Sequence, residues 1–60
     1  MTQLNQMEVQ NLRHLISKHE TISQKWSEYA KACESQEIKD FLRNGAESAA
    51  KTKDAFMKYL

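Results

Sequence analysis

The chain has 60 residues, with nine Lys and Arg against eight Asp and Glu, one Cys, one Gly and no Pro. This length allows one small domain, which buries only about 60% of its unfolded surface and needs a staple or a partner for stability. One Cys excludes an internal disulfide framework, and the near-neutral charge gives no general attraction to nucleic acid or anionic lipid. Because the chain is short and has no internal disulfide, oligomerisation is the remaining means of stabilisation, and we expect a homodimer.

The sequence shows no sign of membrane insertion or export. No apolar run approaches the ~20 residues that cross a membrane. The N-terminus lacks the basic-then-apolar layout of a signal peptide. We therefore expect no membrane partner and a cytoplasmic chain that is not secreted through a signal peptide.

The first helical pattern covers residues 12–33. Its apolar residues step by three and four, which places them on one side of a helix, and polar residues fill the positions between. We predict a helix over about residues 6–33, capped by Thr2 or Asn5, with Glu8 at the positive end of its dipole. Its predicted core or interface positions are Leu12, Leu15, Ile16, His19, Ile22, Trp26, Tyr29, Ala30 and Cys33.

A second pattern of the same kind follows the polar patch at residues 34–37. Its apolar and small residues again step by three and four, and charged residues point away from them. We predict a helix over about residues 37–59. Its predicted core or interface positions are Ile38, Phe41, Leu42, Gly45, Ala49, Thr52, Phe56 and Tyr59.

The phase of the two patterns predicts a reversal of the chain, although neither Pro nor Gly separates them. Cys33 and Ile38 are five residues apart, which on a continuous helix would turn the second apolar row by ~140° from the first. A turn at about residues 34–36, with Ser35 as the N-cap of the second helix, removes this conflict. We predict an all-α fold, a single antiparallel helical hairpin over residues 1–60 that dimerises into a four-helix bundle.

Folding about this turn sets large residues opposite small ones, as close packing requires. Trp26 then faces Gly45. A Gly inside a helix costs about 1 kcal/mol, and space for the indole ring is one reason for its presence. A tolerated surface glycine is the alternative.

The chain carries no recognisable catalytic or metal-binding pattern. His14 and His19 are five residues apart and project to different sides of a helix, and the Glu-x-x-His motif of di-iron bundles does not occur. Carboxylates are scattered, and neither a phosphate loop nor a nucleophile motif is present. We predict no enzyme, no cofactor and no metal site.

Two residues of the first apolar row have alternative interpretations. For His19 we expect a core or interface imidazole bonded to a neighbour such as Thr52, and a pH-sensitive interface is the alternative. For Cys33 we expect a small packed residue, and an intermolecular disulfide or a reactive thiol is the alternative.

Basic residues give an alternative function. In a dimer they could form a strip along one side, and dimeric helical hairpins of the Rop type, similar in architecture only, bind RNA in this way. Acidic residues interrupt the strip, so a nucleic-acid partner is less favoured. The basic residues are Arg13, Lys18, Lys25, Arg43, Lys51, Lys53 and Lys58.

Three segments together resemble small coat-F-like spore proteins of endospore-forming bacteria. These segments are Leu12–Thr21, Trp26–Cys33 and Glu37–Leu42. In that family a helix with a Tyr-Ala ending, here Tyr29-Ala30, leads through a capped turn into a second helix. Ser35-Gln36 stands where Asp-Pro is typical, and the resemblance extends over about residues 9–60.

The resemblance implies a ferritin-like helical hairpin without metal ligands and a structural or assembly role in the spore. Other coat or assembly proteins would then be further partners. We expect a non-enzymatic, self-associating structural or interaction protein that is cytoplasmic or spore-associated. The alternative is a small dimeric RNA-binding regulator.

Overall fold

Two α-helices joined by a short connection make up this protein. A computed structural model describes residues 4–60. Helix α1 spans Gln6–Ala32 and helix α2 spans Gln36–Met57, and the two pack against each other as an antiparallel hairpin. The described residues include no strand. The all-α hairpin that the phase of the two apolar rows predicts is confirmed.

Helix α1 begins with a reciprocal capping box. The Asn5 side-chain oxygen accepts a hydrogen bond from the backbone N–H of Glu8 at 2.8 Å, and the Glu8 carboxylate accepts one from the Asn5 N–H at 3.0 Å. Two of the backbone donors that a helix start leaves unpaired are satisfied in this way. Asn5 is therefore the cap, and the other predicted candidate, Thr2, lies outside the described residues.

The chain reverses at residues 33–35. Cys33 has an extended backbone, with φ −77° and ψ 141°, so α1 ends at Ala32, one residue before the predicted end. Ser35 is also extended and caps α2, and its hydroxyl accepts from the Ile38 N–H at 3.4 Å. The extended backbone at Cys33 ends the hydrogen-bond ladder of α1. Ser35 then caps the start of α2.

Helix α2 ends at Met57, two residues before the predicted end. The backbone N–H groups of Lys58, Tyr59 and Leu60 each bond to the carbonyl three residues earlier, at 3.0 to 3.3 Å. Bonds of this spacing tighten the last turn beyond α-helical geometry. Tyr59, the last residue of the second predicted apolar row, therefore lies beyond the regular α-helix.

The two helices meet along small side chains. The buried residues of the described chain are Ala30, Ala46 and Ala49, which are 0%, 4% and 7% exposed. Ser23 and Ser27 of α1 are half-buried beside them. Small side chains allow two helix axes to approach closely. The contact is therefore shifted from the middle of each predicted apolar row to its small-residue edge.

The predicted contact of Trp26 with Gly45 is confirmed. A Cβ atom added to Gly45 would lie 2.5 Å from Cε3 of the Trp26 ring. Gly45 does not have a positive φ, so the position needs glycine for space and not for backbone freedom. Trp26 also contacts Phe41 of α2. The two rings are stacked, with centroids 6.5 Å apart and planes at 25°.

His19 is held differently from the prediction. Its Nδ1–H donates to the backbone carbonyl of Leu15, one turn earlier in α1, at 2.7 Å. The expected bond to Thr52 is replaced by this local one, because helical side chains lean back toward the preceding turn. The imidazole also meets the ring of Phe56 in an edge-to-face contact, with centroids 5.4 Å apart.

The hairpin is a single layer of structure. Its extents are 46 × 17 × 9 Å and its radius of gyration is 14.2 Å, whereas a compact domain of this length has a radius of about 10 Å. No large side chain of the described residues is fully buried. The accessible surface of 5042 Å² exceeds by roughly 1,000 Å² the value of about 4,000 Å² for a folded monomer of this mass.

We predict that Gly45→Ala destabilises the hairpin, although alanine favours a helix. The added methyl group overlaps the Trp26 ring, and overpacking costs about 1–3 kcal/mol against a propensity gain of about 1 kcal/mol. The urea midpoint, followed by far-ultraviolet circular dichroism, should fall. Asn44→Ala is the control, because its exposed side chain allows the propensity gain without the overlap. A rise of the midpoint in both variants would contradict the contact.

Candidate interaction surface

Six of the predicted core or interface positions are exposed in the hairpin. They are not core residues of the single chain, because the helices meet along the small-residue edge and leave these positions outside. The exposed fraction ranges from 37% for Ile22 to 69% for Phe41. The six residues are Leu15, Ile22, Tyr29, Ile38, Phe41 and Tyr59.

The other predicted positions lie between or beside the two helices. Two of them are buried alanines and the rest are half-buried. They are Leu12, Ile16, His19, Trp26, Ala30, Cys33, Leu42, Gly45, Ala49, Thr52 and Phe56. The predicted rows therefore divide into a covered edge and an uncovered edge.

The uncovered edges of the two helices lie on the same side of the hairpin. Leu15, Ile22 and Tyr29 are seven residues apart and line up along α1. Leu15 lines a groove together with Tyr59, and the exposed Phe41 stacks on Trp26 of α1. We call the side formed by Leu15, Ile22, Tyr29, Phe41 and Tyr59 the open face.

The α2 half of the open face has only small side chains in its middle. Between Phe41 and Tyr59, the positions that helical periodicity places on this side carry small residues. These residues are Gly45, Ser48, Thr52 and Ala55. The α2 half of the open face therefore has bulky side chains at its ends and small ones between them.

The two ends of the open face differ in shape. The end near the chain termini holds an open groove of about 300 Å³, which we call the terminal groove. The end near the turn carries exposed side chains instead: Tyr29 and Phe41 of the open face and, beside them in the first turn of α2, Ile38. We call these three residues the turn-end cluster. The terminal groove is lined by Leu4, Glu8, Asn11, Leu12, Leu15, Phe56 and Tyr59.

The opposite side of the hairpin carries a more polar depression. It is lined by Ser23, Ser27, Arg43, Ala46, Glu47 and Ala50. The other exposed large apolar residues of the described chain, Met7, Met57 and Leu60, lie at helix ends. Five of the nine exposed large apolar side chains of the described residues therefore lie on the open face.

Sequence reasoning missed three residues of the helix contact. Ala46 is 4% exposed and Ser23 and Ser27 are half-buried, although none of the three is among the predicted core or interface positions. The run of small residues at 45, 46, 49 and 50 was the available signal, because helices approach most closely where side chains are small.

The described residues hold no cluster suited to metal chemistry. Within residues 4–60, no group of three or more His, Cys, Asp and Glu side chains could hold a metal ion. Cys33 is a half-buried thiol at the end of α1. Neither helix of this range is both long and apolar enough to cross a membrane.

Comparisons with known proteins return no relative. No protein-family model matches the chain, and no curated protein or solved structure is significantly similar to it. The open face is therefore the feature from which a function can be inferred.

We predict that Phe41→Ala changes the surroundings of Trp26. The stacked phenyl ring shields one side of the indole, so its loss should shift Trp26 emission to longer wavelength and weaken the near-ultraviolet dichroism. Ile38→Ala is the control, since it removes an exposed apolar side chain from the same end. Equal spectra for Phe41→Ala and the unmodified protein would contradict the stacked arrangement.

Proposed function

We propose that this protein is a non-enzymatic structural or interaction protein that self-associates through its open face. The observation that carries the proposal is the single-layer hairpin with a row of large apolar side chains on one side. Leu15, Ile22 and Tyr29 along α1 and Phe41 on α2 are exposed to solvent in the single chain. A second hairpin laid on this face would complete an antiparallel four-helix bundle.

The area of exposed surface supports a second copy as the cover. The chain exposes roughly 1,000 Å² more than a compact monomer of its mass, and a stable interface needs about 800 Å² from each partner. Burying a large apolar side chain contributes about 1.5–3 kcal/mol. Covering one face is therefore sufficient to offset the missing core.

Symmetry and charge also support a second copy over an unrelated partner. A two-fold axis lets the same apolar row cover its own counterpart, so one surface serves both chains. The net charge of +1 gives two copies little mutual repulsion. The proposal therefore needs no further molecule to complete the bundle.

We propose a spore coat as the setting of this assembly, with other coat or assembly proteins as further partners. The support for this setting is the sequence resemblance over residues 9–60, which includes the Tyr29-Ala30 ending of α1. Expression of the gene together with sporulation genes is the expected result. Expression confined to vegetative growth would contradict the setting and leave the self-association untouched.

RNA binding has less support, because the phase of the helices spreads the basic residues. Helical periodicity places Lys18 and Lys25 on the outer side of α1, and Lys51 and Lys58 on the outer side of α2. The four side chains are exposed, but on opposite flanks of the hairpin. They do not form the single strip that a phosphate backbone would follow.

We predict that Ile22→Asp dissociates the assembly and leaves the hairpin helical. Ile22 is partly exposed in the single chain, so the hairpin tolerates the charge, whereas a dimer buries it twice. Loss of about 2–5 kcal/mol at each of two sites raises the dimer dissociation constant at least about a hundredfold. Sedimentation equilibrium and circular dichroism measure the two effects.

Thr21→Asp is the matched control. It adds the same charge at the neighbouring residue, which is exposed and which helical periodicity directs away from the open face. We expect this variant to remain dimeric. A folded monomer of the unmodified protein at micromolar concentration would overturn the proposal.

A further inference from the structure

We infer that the second copy lies on the open face with its turn at the opposite end, so that the turn-end cluster of each chain fills the terminal groove of the other. The inference rests on the proposed self-association and adds the register and direction of the two chains. Its basis is the difference in shape between the two ends of the same face.

The turn-end cluster and the terminal groove complement each other in shape and polarity. Phe41 is 69% exposed and Ile38 is 51% exposed at one end. At the other end, Leu12, Leu15 and Phe56 help to line an open groove of about 300 Å³. A protruding apolar group gains most when it enters an apolar depression, because both surfaces lose water and voids are avoided.

The two-fold axis that brings these features together is fixed by their position. Each chain has one cluster and one groove at opposite ends of a 46 Å hairpin, so only a rotation that exchanges the ends places a cluster over a groove twice. The other closed arrangement, with both turns at the same end, would set groove on groove. It would also set the turn-end cluster of one chain on the turn-end cluster of the other.

The register follows from the midpoint of the hairpin. Trp26 is level with Gly45, so four residues earlier Ile22 is level with about Ala49 of α2. This level lies midway between the terminal groove and the turn. Exchanging the ends about it brings Ile22 against Ile22 of the second copy and Leu15 near the second Tyr29.

The small residues in the middle of α2 are consistent with the same register. The axis passes close to Ser48, so the two α2 helices meet at their small residues. Phe41 of one chain then lies near Ala55 of the second chain, which pairs a large side chain with a small one. In this register the small side chains of α2 lie at the axis, and its large side chains lie at the two ends of the contact.

Disulfide trapping tests this arrangement in the full-length protein. In a Cys33→Ser background, Ile22→Cys places one thiol close to the proposed axis, and a disulfide requires Cα atoms within about 7 Å. We expect mild oxidation to convert most of the protein into a covalent dimer on a non-reducing gel. Ser48→Cys in the same background is the second variant, since it also lies near the axis.

Leu15→Cys in the Cys33→Ser background is the control. It lies on the same face but away from the axis, so alone it should stay uncrosslinked, and mixed with Tyr29→Cys it should form a heterodimeric disulfide. Cys33 of the unmodified protein should stay unlinked within the dimer, because the two turns lie at opposite ends.

The outcomes separate the direction of the dimer from its existence. Sedimentation as a dimer without crosslinks through Ile22→Cys or Ser48→Cys overturns the arrangement and leaves self-association standing. A dimer that crosslinks through its native Cys33 overturns the arrangement in favour of turns at the same end. Sedimentation of the unmodified protein as a monomer overturns both proposals.

Discussion

The ring of Trp26 rests against a backbone position where a methyl group would overlap it. Only glycine at residue 45 leaves this space, so the ring determines how the two helices are rotated toward each other. With the indole at this place, the alanines at 30, 46 and 49 become the buried seam. The exposure of the larger apolar side chains follows from which edge of each helix forms this seam.

The choice of a small-residue seam exposes the larger side chains. Ile22 and Tyr29 belong to the same apolar row as Ala30, but they lie on its other edge and remain in contact with solvent. Two helices alone form one layer, which cannot cover both edges of an apolar row. A hairpin of this kind is stable to the extent that a further surface covers the open face, and the shape of that face favours its own copy.

The sequence was sufficient to predict the elements and their direction, for identifiable physical reasons. The rotation between the two apolar rows required a break near Ser35, and the serine provides the cap at that place. Asn5 with Glu8 forms the capping box at the start of α1. The single Gly opposite the single Trp fixed the level at which the helices pair.

The spacing of the apolar residues did not predict which edge of each row would be buried. A row of three-and-four spacing is wide enough for two partners, and periodicity alone does not say which part meets the neighbouring helix. Ser23 and Ser27 lie beside the contact because they are small, and a pattern of apolar residues does not include them. The His19 hydrogen bond was missed because its acceptor is a backbone carbonyl of the same helix, and the spacing of side chains carries no signal for such a bond.

The contact between Trp26 and Gly45 can be measured directly by nuclear Overhauser spectroscopy on the protein in solution. We expect cross-peaks between the Hε3 and Hζ3 protons of Trp26 and the α-protons of Gly45, together with helical cross-peaks that stop at Cys33 and resume after Ser35. Intact helices without any Trp26–Gly45 cross-peak would rule out this packing, and helical cross-peaks running without interruption through Ser35 would rule out the hairpin.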